Sequence, residues 1–120
     1  MKLPGPDHPI TITPSSKHVR VRAGDIVIAD TTHALTLKEA SYPEVLYIPR
    51  ADANPKLIEK TARTTHCPYK GDASYYSIKA GDKLLENAIW TYETPFPAME
   101  EIRDYLAFYP DKVTIEDVAG

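Results

Sequence analysis

The sequence lacks a second cysteine, a long apolar run and an excess of basic residues, and each absence excludes a class of protein. Its one cysteine cannot form an internal disulfide, and a free thiol is typical of the reducing cytoplasm, which is the location we expect. No apolar run approaches the roughly 20 residues of a membrane-spanning helix, and the N-terminus has no apolar segment like that of a signal peptide. We therefore expect no membrane association.

The net charge of the chain argues against nucleic acid as a partner, and the positions of its histidines argue against a bound metal ion. The formal net charge of -3 provides no positive field to hold a phosphate backbone, so nucleic acid is not an expected partner. The four histidines are far apart in the chain and no Cys-x-x-Cys pair exists, so we expect neither a metal ion nor a cofactor. The sequence also lacks the Gly-x-Ser-x-Gly elbow and the phosphate-binding P-loop.

Turn residues, in contrast, recur along the whole chain. Eleven prolines argue against a helix bundle, and eight tyrosines favour strands. Turn signals return about every 8–12 residues, as in all-β proteins, and 120 residues suit one domain. We predict a mainly β single domain over residues 1–120, with an extended N-terminal arm at residues 1–17. Its strands should form a single curled antiparallel sheet or open barrel, with one or two short helices.

Several elements can be placed from local patterns. Residues 10–12 are predicted to pair as a short edge strand within the arm. Residues 55–60 are predicted to be helical, because Asn54 can cap a helix that begins with proline. Residues 98–103 are predicted to form a second short helix, and the chain should close with a hairpin of residues 105–109 and 112–116.

The densest group of reactive side chains lies in residues 64–76, which we interpret as a tight loop leading into a strand. Cys67 is either a nucleophile or redox thiol with Lys70 as its charge partner, or a small buried packing residue. Its neighbour His66 points to the opposite face if the segment is extended, so the two are not expected to pair. Lys70 before Gly71 either offers an ammonium to an anionic ligand or is solvated on a turn.

The aromatic residues suggest a pocket whose walls come from different strands. Trp90 and Tyr92 share one strand face by the period of two; such residues are usually core, and they would line a pocket only if other aromatic residues converge on them. Arg50 is either a clamp for an anionic group or the partner of nearby Asp52. The candidate ligand-binding residues are Tyr47, Arg50, Lys70, Tyr76, Trp90 and Tyr92.

Four motifs together carry a resemblance to a known family. They are Tyr47-Ile48-Pro49-Arg50-x-Asp52, Thr65-x-Cys67-Pro68-x-Lys70-Gly71-x-Ala73-x-Tyr75, Trp90-x-Tyr92-x-x-Pro95 and Ala107-Phe108-Tyr109-Pro110. With this spacing the chain resembles, over nearly its whole length, the DUF427 family of bacterial and fungal proteins of unknown function. The resemblance implies a small, mainly β domain with an antiparallel sheet curled around a pocket, similar to the β-tent folds. It also implies that one site gathers Tyr47, Arg50, Cys67, Lys70, Trp90 and Tyr92.

Two properties associated with this resemblance do not extend to the residues present. Many β-tent proteins hold zinc through paired cysteines, which this sequence lacks. The family is also labelled nucleotidyltransferase-like, but that reaction usually needs carboxylates that hold Mg²⁺ beside a Gly-Ser turn. No Gly-Ser followed by Asp-x-Asp occurs here.

Three functions are consistent with the sequence. The favoured one is a small-molecule-binding domain whose aromatic and basic pocket takes a planar or anionic ligand. The second is an enzyme that uses Cys67 with Lys70, although no positioned general base is evident. The third is a protein-interaction module without a small-molecule site. Edge strands in so small a sheet would also allow a homodimer.

Overall fold

Short strands dominate the protein because turn residues interrupt each apolar run. The computed structural model describes residues 1–118, and this part of the chain forms ten strands and three 3-10 helices. The strands are β1 (Ile10–Pro14), β2 (Val19–Ala23), β3 (Ile26–Thr31), β4 (Leu35–Glu39), β5 (Val45–Tyr47), β6 (Ile58–Cys67), β7 (Gly71–Ala80), β8 (Lys83–Thr91), β9 (Leu106–Phe108) and β10 (Thr114–Asp117). The predicted mainly β class is confirmed.

The strands divide among three antiparallel sheets with free edges. Their orders are β1-β4-β5, β10-β2-β3 and β6-β7-β8-β9. Ile48 and Leu106 exchange two backbone hydrogen bonds of 2.8 Å, which connect the chain just after β5 to β9. In place of one curled sheet, residues 1–118 form three antiparallel sheets, and none of them closes into a barrel.

The two predicted helices are single 3-10 segments. Asn54 caps the segment Pro55–Leu57, because its side chain accepts a 3.0 Å hydrogen bond from the backbone N–H of Lys56. The segment ends there because β6 begins at Ile58. The other segment is Pro97–Ile102, and the non-helical backbone of Met99 keeps it from becoming a regular helix.

Two local predictions were wrong. The stretch from residue 64 is not a loop: it continues β6 to Cys67 and returns as β7 from Gly71 after a three-residue turn. Its threonines have the branched Cβ that favours strands. The chain also does not close with a hairpin, because β9 pairs with β8 while β10 pairs with β2 in another sheet.

The four-stranded sheet buries a different apolar cluster on each face. Leu106 and Phe108 contact the first cluster, whereas Ala107 between them contacts the second, as the period of two requires. The first cluster includes Val21 and Ile28 of the β10-β2-β3 sheet, and the second includes residues of the β1-β4-β5 sheet. The central sheet thus lies between the two smaller ones. Among residues 1–118, no helix is long and apolar enough to cross a membrane.

Candidate functional site, the tyrosine cleft

The turn between β6 and β7 directs Lys70 into the protein. Gly71 has a φ of 111°, a backbone conformation that side chains with a Cβ rarely adopt. The carbonyl of Lys70 accepts a 2.9 Å hydrogen bond from the backbone N–H of Phe96, and the carbonyl of Pro68 accepts one of 2.7 Å from Lys2. Held on both sides, the turn leaves only 7% of Lys70 exposed.

Lys70, which is buried, forms an ion pair with Glu39, the half-buried last residue of β4. The Lys70 ammonium donates to Oε1 of this carboxylate, and Nε2 of His8 donates to Oε2 over 2.7 Å. The His8 ring in turn stacks on Tyr69, with 4.0 Å between the ring centroids. Burial alone would raise the pKa of Glu39, but the hydrogen bonds from Lys70 and His8 outweigh it and lower this pKa. Glu39 therefore carries its negative charge at neutral pH.

The ion pair forms one wall of a cleft of about 250 Å³. Trp90 lies in another wall, where its indole N–H donates a 3.3 Å hydrogen bond to the hydroxyl of Tyr47. The Trp90 ring also contacts Tyr109, with 4.6 Å between the ring centroids. We call this space the tyrosine cleft; its lining residues are Leu37, Glu39, Tyr42, Pro43, Val45, Tyr47, Lys70, Tyr75, Trp90, Tyr92 and Tyr109.

Two phenol groups of the cleft remain protonated far above neutral pH. Burial raises the pKa of both Tyr47 and Tyr92, because their anions would lose hydration. Only 6% of Tyr92 is exposed, and its hydroxyl, which has no hydrogen-bond partner among residues 1–118, is not a fully buried atom and reaches the cleft. This hydroxyl can both donate to and accept from a ligand in the cleft.

A pair of tyrosines forms the other end of the cleft. The hydroxyl of Tyr75 lies 3.3 Å from that of Tyr109 and 3.0 Å from Oγ1 of Thr65. Burial would raise the pKa of Tyr75, but hydrogen bonds to Thr65, Tyr109 and Arg63, together with the charge of Arg63, lower this pKa overall. Burial and the bond to Tyr75 raise the pKa of Tyr109 to about 12. Tyr75 is therefore the more acidic member of the pair.

The structure brings together four of the six residues that the sequence suggested for ligand binding. Lys70, Tyr47, Trp90 and Tyr92 all line the tyrosine cleft. The other seven lining residues were missed, and among them Glu39, Tyr75 and Tyr109 make the polar contacts described above. Ala73 and Tyr75 are two residues apart on β7, so a buried Ala73 could have indicated that Tyr75 lies on the same inward face. No local pattern connects Glu39 with Lys70.

The remaining two suggested residues, Arg50 and Tyr76, lie elsewhere. Tyr76 follows Tyr75 on β7 and contacts the apolar cluster on the opposite face of the sheet. The guanidinium of Arg50 donates a 3.1 Å hydrogen bond to the Tyr76 hydroxyl and lies 5.1 Å from the centroid of its ring. Arg50 does not pair with Asp52, whose carboxylate instead accepts a 2.6 Å hydrogen bond from Thr31.

Cys67 is half-buried at the end of β6, beside the cleft. Its Sγ lies 3.9 Å from Nζ of Lys70, which is its hydrogen-bond partner among residues 1–118. His66 points away and lies 2.7 Å from the exposed carboxylate of Asp72. Within residues 1–118, no three His, Cys, Asp or Glu side chains group in a way that could hold a metal ion.

Comparison with known proteins identifies the family of the chain. Residues 11–119 match the model of a family described as a domain of unknown function, DUF427. The matched range includes every residue that lines the tyrosine cleft. No curated protein matches the chain.

Proposed function

Because the chain belongs to the DUF427 family, whose function is unknown, we propose its function from the cleft itself: the protein binds a small planar molecule there. The observation that carries this proposal is the Tyr92 hydroxyl, which reaches the cleft and has no hydrogen-bond partner among residues 1–118, although only 6% of the residue is exposed. Such a hydroxyl can both donate to and accept from a bound molecule. A ligand that bonds to it takes the place of solvent at this position.

The size of the cleft limits the ligand. A cavity of about 150 Å³ takes up benzene, so the roughly 250 Å³ here has room for one substituted ring or a fused bicyclic ring. The indole of Trp90 and the ring of Tyr109 offer flat surfaces for such a ring. A ring that stacks on Trp90 therefore suits both the volume and the walls.

The ion pair in the wall sets the charge preference. The ammonium of Lys70 is neutralised by Glu39, so the wall offers hydrogen bonds without a large net charge. An organic cation would approach the ammonium of Lys70, and an anion would approach the carboxylate of Glu39, since both residues line the cleft. A neutral ring therefore suits the cleft best.

Catalysis by Cys67 is the second candidate, and the 3.9 Å contact between its Sγ and Lys70 is the observation in its favour. The ammonium is already engaged with Glu39, and no histidine or carboxylate contacts Sγ within the described residues 1–118. Without a base to take up the thiol proton, a nucleophilic role lacks one of its usual components. Binding without catalysis is therefore the better-supported function.

Replacing Tyr92 by Phe is expected to weaken binding of phenol by about 3- to 10-fold, the loss for one neutral hydrogen bond. Trp90 is the only tryptophan of the chain, so quenching of its fluorescence reports occupancy of the cleft directly. The matched control is Tyr105→Phe, because Tyr105 is half-buried against the same apolar cluster but does not line the cleft.

Two results would contradict the proposal. One is the absence of any Trp90 response to phenol while the fold is intact. The other is quenching by tetramethylammonium that is stronger than quenching by phenol, which would indicate an aromatic cage for cations instead.

Replacing Cys67 by Ser is expected to leave phenol affinity within about 2-fold of the wild type, since the thiol does not line the cleft. The measurement is the same fluorescence titration. A loss of affinity comparable to that of Tyr92→Phe would show that the thiol contributes to the site and would favour the enzymatic candidate.

A further inference from the structure

A second cavity, of about 360 Å³, adjoins the tyrosine cleft. The two share Tyr75 and Tyr109 as lining residues, so this tyrosine pair is their common boundary. We call the second space the polar cavity; its lining residues are Arg63, Tyr75, Glu86, Asn87, Tyr109, Asp111 and Lys112. Apart from the shared tyrosines, all of them are charged or amide side chains.

Two strand irregularities build the polar cavity. The pairing of β6 with β7 is interrupted between Lys60 and Thr64, and Arg63 lies in that interruption. On the other side of β7, its pairing with β8 is interrupted around Asn87, whose φ of 51° is left-handed. Bulges of this kind redirect side chains and are enriched next to functional sites. Both redirected side chains line the same cavity.

A hydrogen bond connects the two irregularities across β7. The hydroxyl of Thr61 donates to Oδ1 of Asn87 over 2.6 Å, and the backbone N–H of Asn87 donates to Oγ of Ser77 over 3.0 Å. Because Oδ1 is engaged in this way, the amide N–H groups of Asn87 are the polar atoms left for the cavity. Asn87, with its left-handed backbone, is thus held by specific bonds in the wall of the polar cavity.

Arg63 is the charged group of the polar cavity that is best placed for an anion. Its guanidinium carbon lies 5.0 Å from the centroid of the Tyr75 ring, and no carboxylate lies within 4.0 Å of it among residues 1–118. Stacking on the ring orients the guanidinium, and because it carries five N–H donors, its interaction with the Tyr75 hydroxyl leaves further donors for an anion. Lys112 is less available, because its ammonium donates to the carbonyl of Glu86.

The boundary between the two spaces is weak. The 3.3 Å separation of the Tyr75 and Tyr109 hydroxyls is long for an O–H···O hydrogen bond. Tyr109 is only half-buried, so a ligand group can replace this bond without disrupting a packed core. The carboxylates of Glu86 and Asp111 lie in the same polar cavity, so an anion has one favourable position, beside Arg63.

We infer that the ligand of the tyrosine cleft is a planar ring that carries an anionic group, and that Arg63 binds this group in the polar cavity. This inference rests on the proposed function, since it places the ring where that proposal does. It divides recognition between two spaces: the cleft selects the ring by stacking, and Arg63 selects the charge.

The test compares three phosphate monoesters with their parent alcohols, because the distance from the ring to the phosphate must match the site. Phenyl, benzyl and 2-phenylethyl phosphate are titrated against phenol, benzyl alcohol and 2-phenylethanol, with Trp90 fluorescence as the readout. At least one phosphate is expected to bind about 10-fold more tightly than its alcohol, as a hydrogen bond to a charged group allows. Arg63→Gln should remove that gain, so that the phosphate and its alcohol bind with equal affinity.

The matched control is Lys79→Gln, which removes the charge of an exposed residue that lines neither cavity. The inference is overturned if no phosphate exceeds its alcohol, or if the gain is the same in Arg63→Gln as in Lys79→Gln. If the alcohols themselves do not bind, the proposed function fails as well. Binding of the alcohols without any gain for the phosphates refutes the inference alone.

Discussion

Replacement of Glu39 by Gln is expected to lower the free energy of unfolding by about 3–5 kcal/mol, the usual loss when one partner of a buried ion pair is removed. The reason is the position of Lys70, whose side chain is 9% exposed and would keep its charge in the protein interior without a counterion. His8 would also lose the carboxylate that accepts its hydrogen bond. Urea unfolding near neutral pH measures the difference.

A double variant separates the ion pair from simple packing damage. Glu39→Gln combined with Lys70→Met removes both charges, so no buried ion remains unpaired, and most of the lost stability should return. If the double variant is less stable than Glu39→Gln alone, the loss in the single variant came from damaged packing and not from the unpaired charge of Lys70.

The pH dependence of stability provides an independent check, because the direction of the change in acid can be predicted. The pKa of Glu39 is lower in the folded protein than its ordinary value of 4.5, so its stabilising contribution is complete above that value and is lost as the pH falls through the folded pKa. The stability difference between the wild type and Glu39→Gln should therefore shrink below about pH 4.5. A difference that stays constant into stronger acid would show that the carboxylate charge does not matter.

Gly71→Ala is the second large expected effect, with a loss of about 2–3 kcal/mol in the free energy of unfolding. The φ of 111° at Gly71 lies outside the region that alanine adopts without strain. An added Cβ would lie 3.5 Å from the carbonyl oxygen of Thr94 and from the backbone nitrogen of Phe96, which is ordinary van der Waals contact, so the cost comes from the backbone conformation. Relief of the strain would move the turn and, with it, the Lys70 side chain that lines the cleft.

The matched control is Gly24→Ala in the turn between β2 and β3. Gly24 has a φ of 60° and open space around the position of an added Cβ, so its loss should be only about 1 kcal/mol. Urea unfolding of both variants gives the comparison. Equal losses of stability would show that any positive φ has the same effect, and that the particular backbone conformation of Gly71 beside Lys70 adds nothing. Phenol binding should weaken in Gly71→Ala alone.

Local sequence determined the parts of this protein that depend on near neighbours. The turn residues and the β-branched and aromatic residues predict short antiparallel strands, and the order Asn54-Pro55 predicts the capped segment that follows. The period of two places Trp90 and Tyr92 on one face of a strand, and both line the cleft. Each of these features depends on steric or hydrogen-bonding preferences within a few residues, which the sequence displays directly.

Only the tertiary structure decided which strands meet and therefore what the site contains. Glu39 and Lys70 are 31 residues apart, and they pair because the β1-β4-β5 sheet covers one face of the central sheet. Arg50 follows β5 by a few residues, yet it binds Tyr76 on the opposite face. Contacts between distant strands depend on how whole sheets pack, and many sheet arrangements satisfy the same local pattern of apolar and polar residues. The fold class was therefore readable from the chain, whereas the composition of the cleft was not.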